Sequence, residues 1–525
     1  MRLKTALLSL LVAWSSVAAL SAAVSMPAEP STGLNKKAEG PAKEALEAFK
    51  DGRYAKAIEL AKPLAEQGNG DALYLMGFAH ESGQGAEASK EKALEFYKKA
   101  AATGQKDATY RMSFILLASE DEKERTQGRE ALENAAKDDP AVAGRILGEA
   151  WLRGRLSKEP DYDKVVFWWS RAADAGDPPS LMLLARLYEG QFGFPDKKDL
   201  KKANDTYRKA AGLGDAGAMV ALGSRLLNGA EAQRNEKEGR EWIKKAIEAK
   251  EYSGYLALGD FEENVKKDPK AALETYRKGD DAGQVDCTLR TAQAYLEGKG
   301  TEKDEDRGLK LLEKAATAGS AAAHLRLAVV RLSSEKPSQE DLSVGYGHLL
   351  SAAAGGLVEA QNELALFYLS QKLGGVADPV AAVAWLTRAA QGGYAPAQNN
   401  LATMYERGAG GVQQNLSNAG QLYALAANQG HGPATYALAR LLATGTGAKP
   451  DLPKAWALAT LAAERKQEDG AKLAKELEDK FTPEQKAEAK QALEDIKSNK
   501  PAPAPKPDAA KPGDTAKPKP AAGKP

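Results

Sequence analysis

The chain has 525 residues, with 73 Lys+Arg against 72 Asp+Glu and a formal net charge of +1. That balance lacks the basic excess a nucleic-acid binder uses against phosphate, so no nucleic-acid partner is expected. One cysteine excludes an internal disulfide and a cysteine-rich zinc site, and the abundance of Ala and Leu over aromatics (6%) suits helices packed through small side chains.

Arg2 and Lys4 precede an uncharged apolar stretch from Ala6 to Leu20, and Ser21-Ala22-Ala23 offers small residues for cleavage. Residues 1–23 therefore read as a signal peptide cut near Ala23, with an uncleaved anchor as the alternative. No cysteine follows the apolar run, which argues against a lipid anchor. Residues 24–40 contain Pro, Ser and Gly and are expected to form a disordered linker. Between Lys37 and Lys497 no apolar run is long enough to span a bilayer, so no transmembrane segment is expected in the mature chain.

A helical pattern begins at Pro41, placed in a first helical turn, with Ala45, Leu46 and Phe49 on one face. Tyr54–Gln67 supplies a second helix ending at Gly68, in which Pro63 is expected to bend the helix or shorten its first half. From there a signature recurs: paired small residues, then glycine. Ala100-Ala101 leads to Gly104, Ala172-Ala173 to Gly176, Ala210-Ala211 to Gly214 and Ala315-Ala316 to Gly319. Ala352-Ala353 leads to Gly355, Ala389-Ala390 to Gly392 and Ala426-Ala427 to Gly430. The period is about 33–38 residues, the range of helical-hairpin solenoids.

Gly83-Gln84-Gly85, Gly298-Lys299-Gly300 and Gly445-Thr446-Gly447 recur in one phase between the paired helices. No strand precedes them, so they read as helix C-caps and tight links instead of phosphate loops. Tyr394–Gly430 is the clearest copy: Ala397, Leu401, Met404 and Tyr405 on one face, glycines 408, 410 and 411, then Leu422, Tyr423, Ala426 and Ala427. Residues 41–466 are thus an all-α solenoid of about 11–12 helix-turn-helix repeats. Residues 467–499 are two charged helices fit to cap it, the second opened by Thr482 and Pro483. Residues 500–525 form a disordered Pro/Ala/Lys-rich tail with six lysines against two aspartates. A linker role is expected for it, with weak contact to acidic polymer as a further reading.

These paired alanines, G-x-G loops and terminal glycines resemble the Sel1-like repeat family, relatives of tetratricopeptide repeats. The resemblance covers Pro41 to Ala463 and is closest from Val358 onward. It weakens at Glu120–Asp138, where a charged link, residues 121–125, replaces the G-x-G loop, and at Ser253–Gly283, where Glu262-Glu263-Asn264 replaces the glycines. It implies a right-handed superhelix whose concave face binds proteins, and exported members include assembly factors for envelope machinery and exopolysaccharide export. A cysteine-rich branch is associated with β-lactams; the single Cys287 breaks that likeness.

No nucleophile elbow, P-loop or H-E-x-x-H motif occurs, and His80, His324, His348 and His431 are spread over different repeats. The sequence therefore predicts no catalytic residue, cofactor or metal. Cys287 fits a small-residue packing slot. Trp168, Trp242 and Trp385 share a phase with Phe96, Leu311 and Leu422, so they read as core knobs. By resemblance to tetratricopeptide repeats, the concave residues are Tyr74, Phe78, Arg145, Glu149, Arg186, Ser224, Asp260, Gln293, Asn362, Asn399, Thr403, Tyr436 and Arg440. This mixture suits a protein or peptide ligand. The expected function is an exported, non-catalytic scaffold in bacterial envelope assembly. The alternatives are an accessory protein or enzyme of cell-wall or exopolysaccharide processing, and a structural spacer.

Overall fold

A computed structural model describes residues 40–157, 159–229, 234–333, 336–370, 377–447 and 449–498. The expected signal peptide and tail, and the linker apart from Gly40, lie outside the described residues. Among the described residues there is no strand, and the only regular element besides α-helices is a short 3-10 turn at Pro195–Lys197. No described helix is long and apolar enough to cross a membrane.

The chain divides into two compact units, residues 1–315 and 316–525. The first holds the pairs α1 (Lys43–Lys50) and α2 (Tyr54–Glu66), α3 (Gly70–Ser82) and α4 (Lys90–Ala102), α5 (Lys106–Leu117) and α6 (Glu122–Asp138), and α7 (Pro140–Leu152) and α8 (Tyr162–Asp174). It continues through α9 (Pro178–Tyr188) and α10 (Leu200–Gly212), α11 (Ala216–Asn228) and α12 (Glu236–Glu248), and α13 (Ser253–Asn264) and α14 (Pro269–Asp281). It ends with α15 (Val285–Glu297) and α16 (Glu305–Thr317), whose last turn carries the division. The second unit holds α17 (Ala321–Leu332) and α18 (Gln339–Ala354), α19 (Val358–Leu369) and α20 (Pro379–Gln391), and α21 (Ala395–Arg407) and α22 (Leu416–Asn428). It closes with α23 (Gly432–Thr444) and α24 (Leu452–Glu464), then the cap pair α25 (Glu468–Glu478) and α26 (Pro483–Lys497). Each unit is a solenoid of hairpins stacked in chain order.

Glycine sets the joints. First helices end on left-handed glycines at 83, 298, 408 and 445, with φ of 73°, 70°, 64° and 70°, a conformation that costs a residue with Cβ. Second helices start on a capping side chain: Asp161, Asp199, Asp268, Asp378 and Asp451 each accept the backbone N–H three residues on, at 2.9–3.0 Å. Where two glycines end a second helix, the later one is left-handed: Gly356 and Gly393, not Gly355 and Gly392. In the repeats lacking glycine, Lys250 (φ 66°) and Lys466 (φ 65°) take that conformation.

Several expectations are corrected. Pro41 stands before its helix, which begins at Lys43. The helix carrying Pro63 is not shortened and runs from Tyr54 to Glu66, with the one N–H that proline lacks missing from its ladder. The charged link at 121–125 is mostly helix: Asp121 caps α6 and accepts from the Lys123 N–H at 2.8 Å. Glu262-Glu263-Asn264 completes α13, and the left-handed turn moves to Lys267 (φ 56°). As expected, Thr482 and Pro483 open α26, in a capping box whose partner is Gln485.

The most deeply buried knobs of the core lie one residue later than the tryptophan pattern indicates, although Trp168 is itself buried as expected. Tyr97, Trp169, Tyr207, Ile243, Tyr276, Leu312, Leu349, Leu386 and Tyr423, three before the small residues, are all buried. Phe96, Trp242, Leu311, Trp385 and Leu422 are only half-buried. Trp385 still bridges neighbouring hairpins, packing on both the Leu349–Leu364 cluster and the Leu386–Leu401 cluster. Cys287 is fully buried beside Tyr276, and burial pushes its thiol up to about 12. Native protein is therefore expected to resist thiol reagents, with labelling at least about a hundredfold faster after unfolding in guanidinium; equal rates would show the site to be open.

Candidate partner-binding surface

The thirteen expected surface residues separate into three groups. Tyr74 and Asn362 are each only 2% exposed and leave the surface. Tyr74 packs its ring 5.6 Å from Tyr97, and Asn362 accepts from the Asn400 amide at 3.0 Å, so neighbouring helices cover both. A second group is half-buried and engaged in the fold. Phe78 packs edge-on to Phe49 at 5.7 Å and under the Arg111 guanidinium at 5.2 Å. Arg145 pairs with Asp177 at 3.1 Å, Glu149 with Arg153, and Arg440 with Glu406. Arg186 donates to Gln191 at 3.0 Å and lies over Phe192, and Asp260 accepts from the Tyr276 hydroxyl at 2.8 Å. The third group is half-buried: Ser224, Gln293, Asn399, Thr403 and Tyr436. Gln293 donates to Glu297 at 2.8 Å, and Thr403 meets Tyr423 at 3.0 Å.

Two of the second group, Asp260 and Arg440, belong to a repeated device that the sequence did not announce. At four joints a carboxylate of one first helix, a tyrosine of the following second helix and an arginine of the next first helix come together. Tyr97 donates to Glu81 at 2.5 Å, and Arg111 pairs with the same carboxylate at 3.3 Å. Tyr207 lies beside Glu189, which pairs with Arg225. Tyr276 donates to Asp260 and also to Glu263 at 3.0 Å, and Arg290 reaches Asp260 at 3.3 Å. Tyr423 donates to Glu406 at 2.8 Å, and Arg440 closes the fourth clasp. A carboxylate that meets both a tyrosine hydroxyl and an arginine makes charge-assisted bonds, with the arginine buried at Arg111 and partly exposed at the other three joints.

The clasp fixes protonation states. Burial pushes the Tyr423 hydroxyl up to about 12, so it stays a neutral donor. Burial also works against the Glu406 charge, but the hydrogen bonds from Arg440 and Tyr423 outweigh it and hold the carboxyl below its ordinary value. Asp260 goes the other way: burial raises it despite Arg290 and the Tyr276 bond.

A carboxylate outside the clasps carries the clearest pH effect. Glu363 is 9% exposed, accepts from the Asn362 amide at 3.2 Å, and is raised by burial. Its folded value exceeds its unfolded one, so the charge destabilises the fold above the raised value and the penalty fades as pH falls below the ordinary glutamate range. Glu363→Gln keeps the acceptor and is expected to stabilise the second unit by about 1 kcal/mol at neutral pH, a gain that shrinks to nothing near pH 4. A melting-temperature difference that stays constant with pH would contradict this.

His324 and His348, read as distant, meet across the α17–α18 hairpin. An open recess of about 700 Å³ lies over Tyr295 and residues 301–307, lined by Arg277, Lys303 and acidic side chains. Among the described residues no three His, Cys, Asp or Glu converge as metal ligands.

The stacked hairpins, glycine joints and buried knobs define a tandem helical-repeat protein. The Sel1 repeat model matches residues 146–177, 178–215, 216–250, 285–320, 358–394, 395–431 and 432–466, and the chain belongs to that family. A model of plant tetratrico peptide repeats matches residues 60–144. Among solved structures, the chain is similar to a protective antigen of uropathogenic Escherichia coli displaying an SLR fold, at 21% identity, with 87% of this chain and 99% of that one covered and a TM-score of 0.35. It is also similar to a Sel1 repeat protein from Oxalobacter formigenes (23% identity, 70% and 93% covered, TM-score 0.32) and to an immunity protein from Pseudomonas aeruginosa (20%, 45% and 81%, TM-score 0.25). No curated protein matches. Sel1 repeat proteins generally mediate protein–protein interaction.

Proposed function

We propose that this chain is an exported, non-catalytic scaffold that holds protein partners on the exposed stripe of its first helices, in bacterial envelope assembly. The observation that carries the reading is the continuity of that stripe in the second unit. Asn400 on α21 donates to Asn362 on α19 at 3.0 Å, and Arg440 on α23 pairs with Glu406 on α21. Three successive first helices are thereby fixed side by side, with Asn399, Thr403 and Tyr436 half-exposed upon them. Amide, hydroxyl and aromatic groups held in one register meet a peptide or protein surface with little ordering cost at binding. Export rests on the apolar stretch from Ala6 to Leu20 behind Arg2 and Lys4.

The test is in-cell photo-crosslinking. A photoreactive residue at position 399, 436, 224 or 293 is expected to give discrete protein adducts in the envelope fraction. The same residue at Val380, which is exposed on a second helix, is expected to give none. Adducts of equal yield at 380, or none at the four positions, would refute the first-helix stripe as the binding face. Adducts confined to cytoplasmic proteins would refute the envelope role alone.

A further inference from the structure

The α17–α18 hairpin carries a histidine pair that lies outside the proposed docking face. His324 on α17 and His348 on α18 bring their Nδ1 atoms to 2.9 Å, with ring centroids 5.2 Å apart and planes at 42°. Both residues are half-buried. The hairpin itself falls between the matched stretches 285–320 and 358–394, so its sequence departs from the family pattern where the pair stands.

Two imidazole nitrogens facing each other share one proton: one ring donates its Nδ1–H and the other accepts. Their spacing has a second meaning. Nitrogens about 2.0–2.1 Å from one ion stand roughly 2.9–3.0 Å apart at right angles and roughly 3.4 Å apart at a tetrahedral angle. The observed 2.9 Å matches adjacent corners of a square or octahedral ion. We propose that His324 and His348 form a two-imidazole site for a divalent transition-metal ion of the Cu²⁺ or Ni²⁺ type, which staples α17 to α18. On binding, the ring that donated its Nδ1–H moves that proton to its own Nε2, so a neutral pair loses none and a singly protonated pair releases one. With no third His, Cys, Asp or Glu converging among the described residues, water fills the other positions, and the ion exchanges readily.

Cu²⁺ stands highest in divalent affinity for nitrogen ligands, so it is the probe. The full chain, free of any affinity tag, is titrated with Cu²⁺ at neutral pH and followed by calorimetry and electron paramagnetic resonance. One equivalent is expected, with hyperfine splitting from two nitrogens. His324→Gln and His348→Gln are each expected to weaken binding at least about tenfold and leave one nitrogen, while His80→Gln changes nothing. A two-nitrogen spectrum that persists in the double variant, or wild-type binding no tighter than that variant's, would overturn the site and leave a plain hydrogen-bonded pair. Should the double variant lose helicity, hydrogen exchange on wild type decides. Cu²⁺ must then slow exchange in α17–α18 and not in α21–α22, and a uniform or absent change overturns the proposal.

Discussion

Trp169→Ala is expected to cost about 3–5 kcal/mol, the range for emptying a fully buried aromatic site. The ring lies on Gly148, where an added Cβ would stand 2.3 Å from its edge, so the first helix approaches too closely for a partial collapse to refill the space. Its Nε1 donates to the Arg145 carbonyl at 3.2 Å, and Phe192 meets the ring edge-on at 5.9 Å. Stacked hairpins touch mainly their neighbours, so the damage should be local. Hydrogen exchange is expected to accelerate in α7–α9 and stay unchanged in α21–α23. Trp169→Phe keeps most of the ring and is expected to cost about 1–2 kcal/mol, through the lost N–H bond and residual space. A uniform loss below about 1 kcal/mol for the alanine variant would show that the ring is not a wedge between these helices.

The second large effect concerns two glycines with opposite signs. At Gly259 an added Cβ would stand 2.3 Å and 2.5 Å from the Tyr276 ring. Gly259→Ala must displace that ring and pull its hydroxyl from Asp260 and Glu263, for an expected loss of about 1–3 kcal/mol. A leucine is smaller than the tyrosine ring, and leucine knobs elsewhere pack beside alanine: Leu386 shares a cluster with Ala365, and Leu349 with Ala328. Gly259→Ala with Tyr276→Leu should therefore recover part of the packing and none of the clasp. Gly347, inside α18, has nothing within 4 Å of its missing Cβ. Gly347→Ala is expected to stabilise by about 0.5–1 kcal/mol, since alanine restricts the unfolded chain and suits a helix. Denaturant midpoints that move both variants the same way would contradict the contact geometry.

The helices and joints were legible because they follow from local rules. Gly83, Gly298 and Gly445 announce left-handed caps, and alanine pairs followed by glycine mark the ends of many second helices. Of the expected tryptophan knobs Trp168 is buried, whereas Trp242 and Trp385 draw the eye by size and are covered less than the Ile243, leucines and tyrosines of the next position. A column of Tyr97, Tyr207, Tyr276 and Tyr423 was the available signal. The clasps were not legible as bonds, since Glu406, Tyr423 and Arg440 lie on three helices and only stacking brings them together. The same holds for His324 and His348, separated in sequence and joined by one hairpin turn. For the surface, helical spacing located the stripe but could not tell Asn399 from the buried Asn362, which differ in how a neighbouring helix covers them.

The clasps also bear on how such a chain can grow by gene duplication. A tandem copy of residues 395–431, one hairpin with its link, would set the copied Thr403 against the original Glu406 and Tyr423, leaving a half-buried carboxylate without its arginine. A tandem copy of residues 404–440 has the same length but carries Glu406, Tyr423 and Arg440 together, so the new joint arrives complete. The heritable module is therefore offset from the visible hairpin: it begins and ends in the middle of a first helix. Breakpoints there lengthen the stack without an uncompensated charge, and breakpoints in the loops require a second change to an arginine.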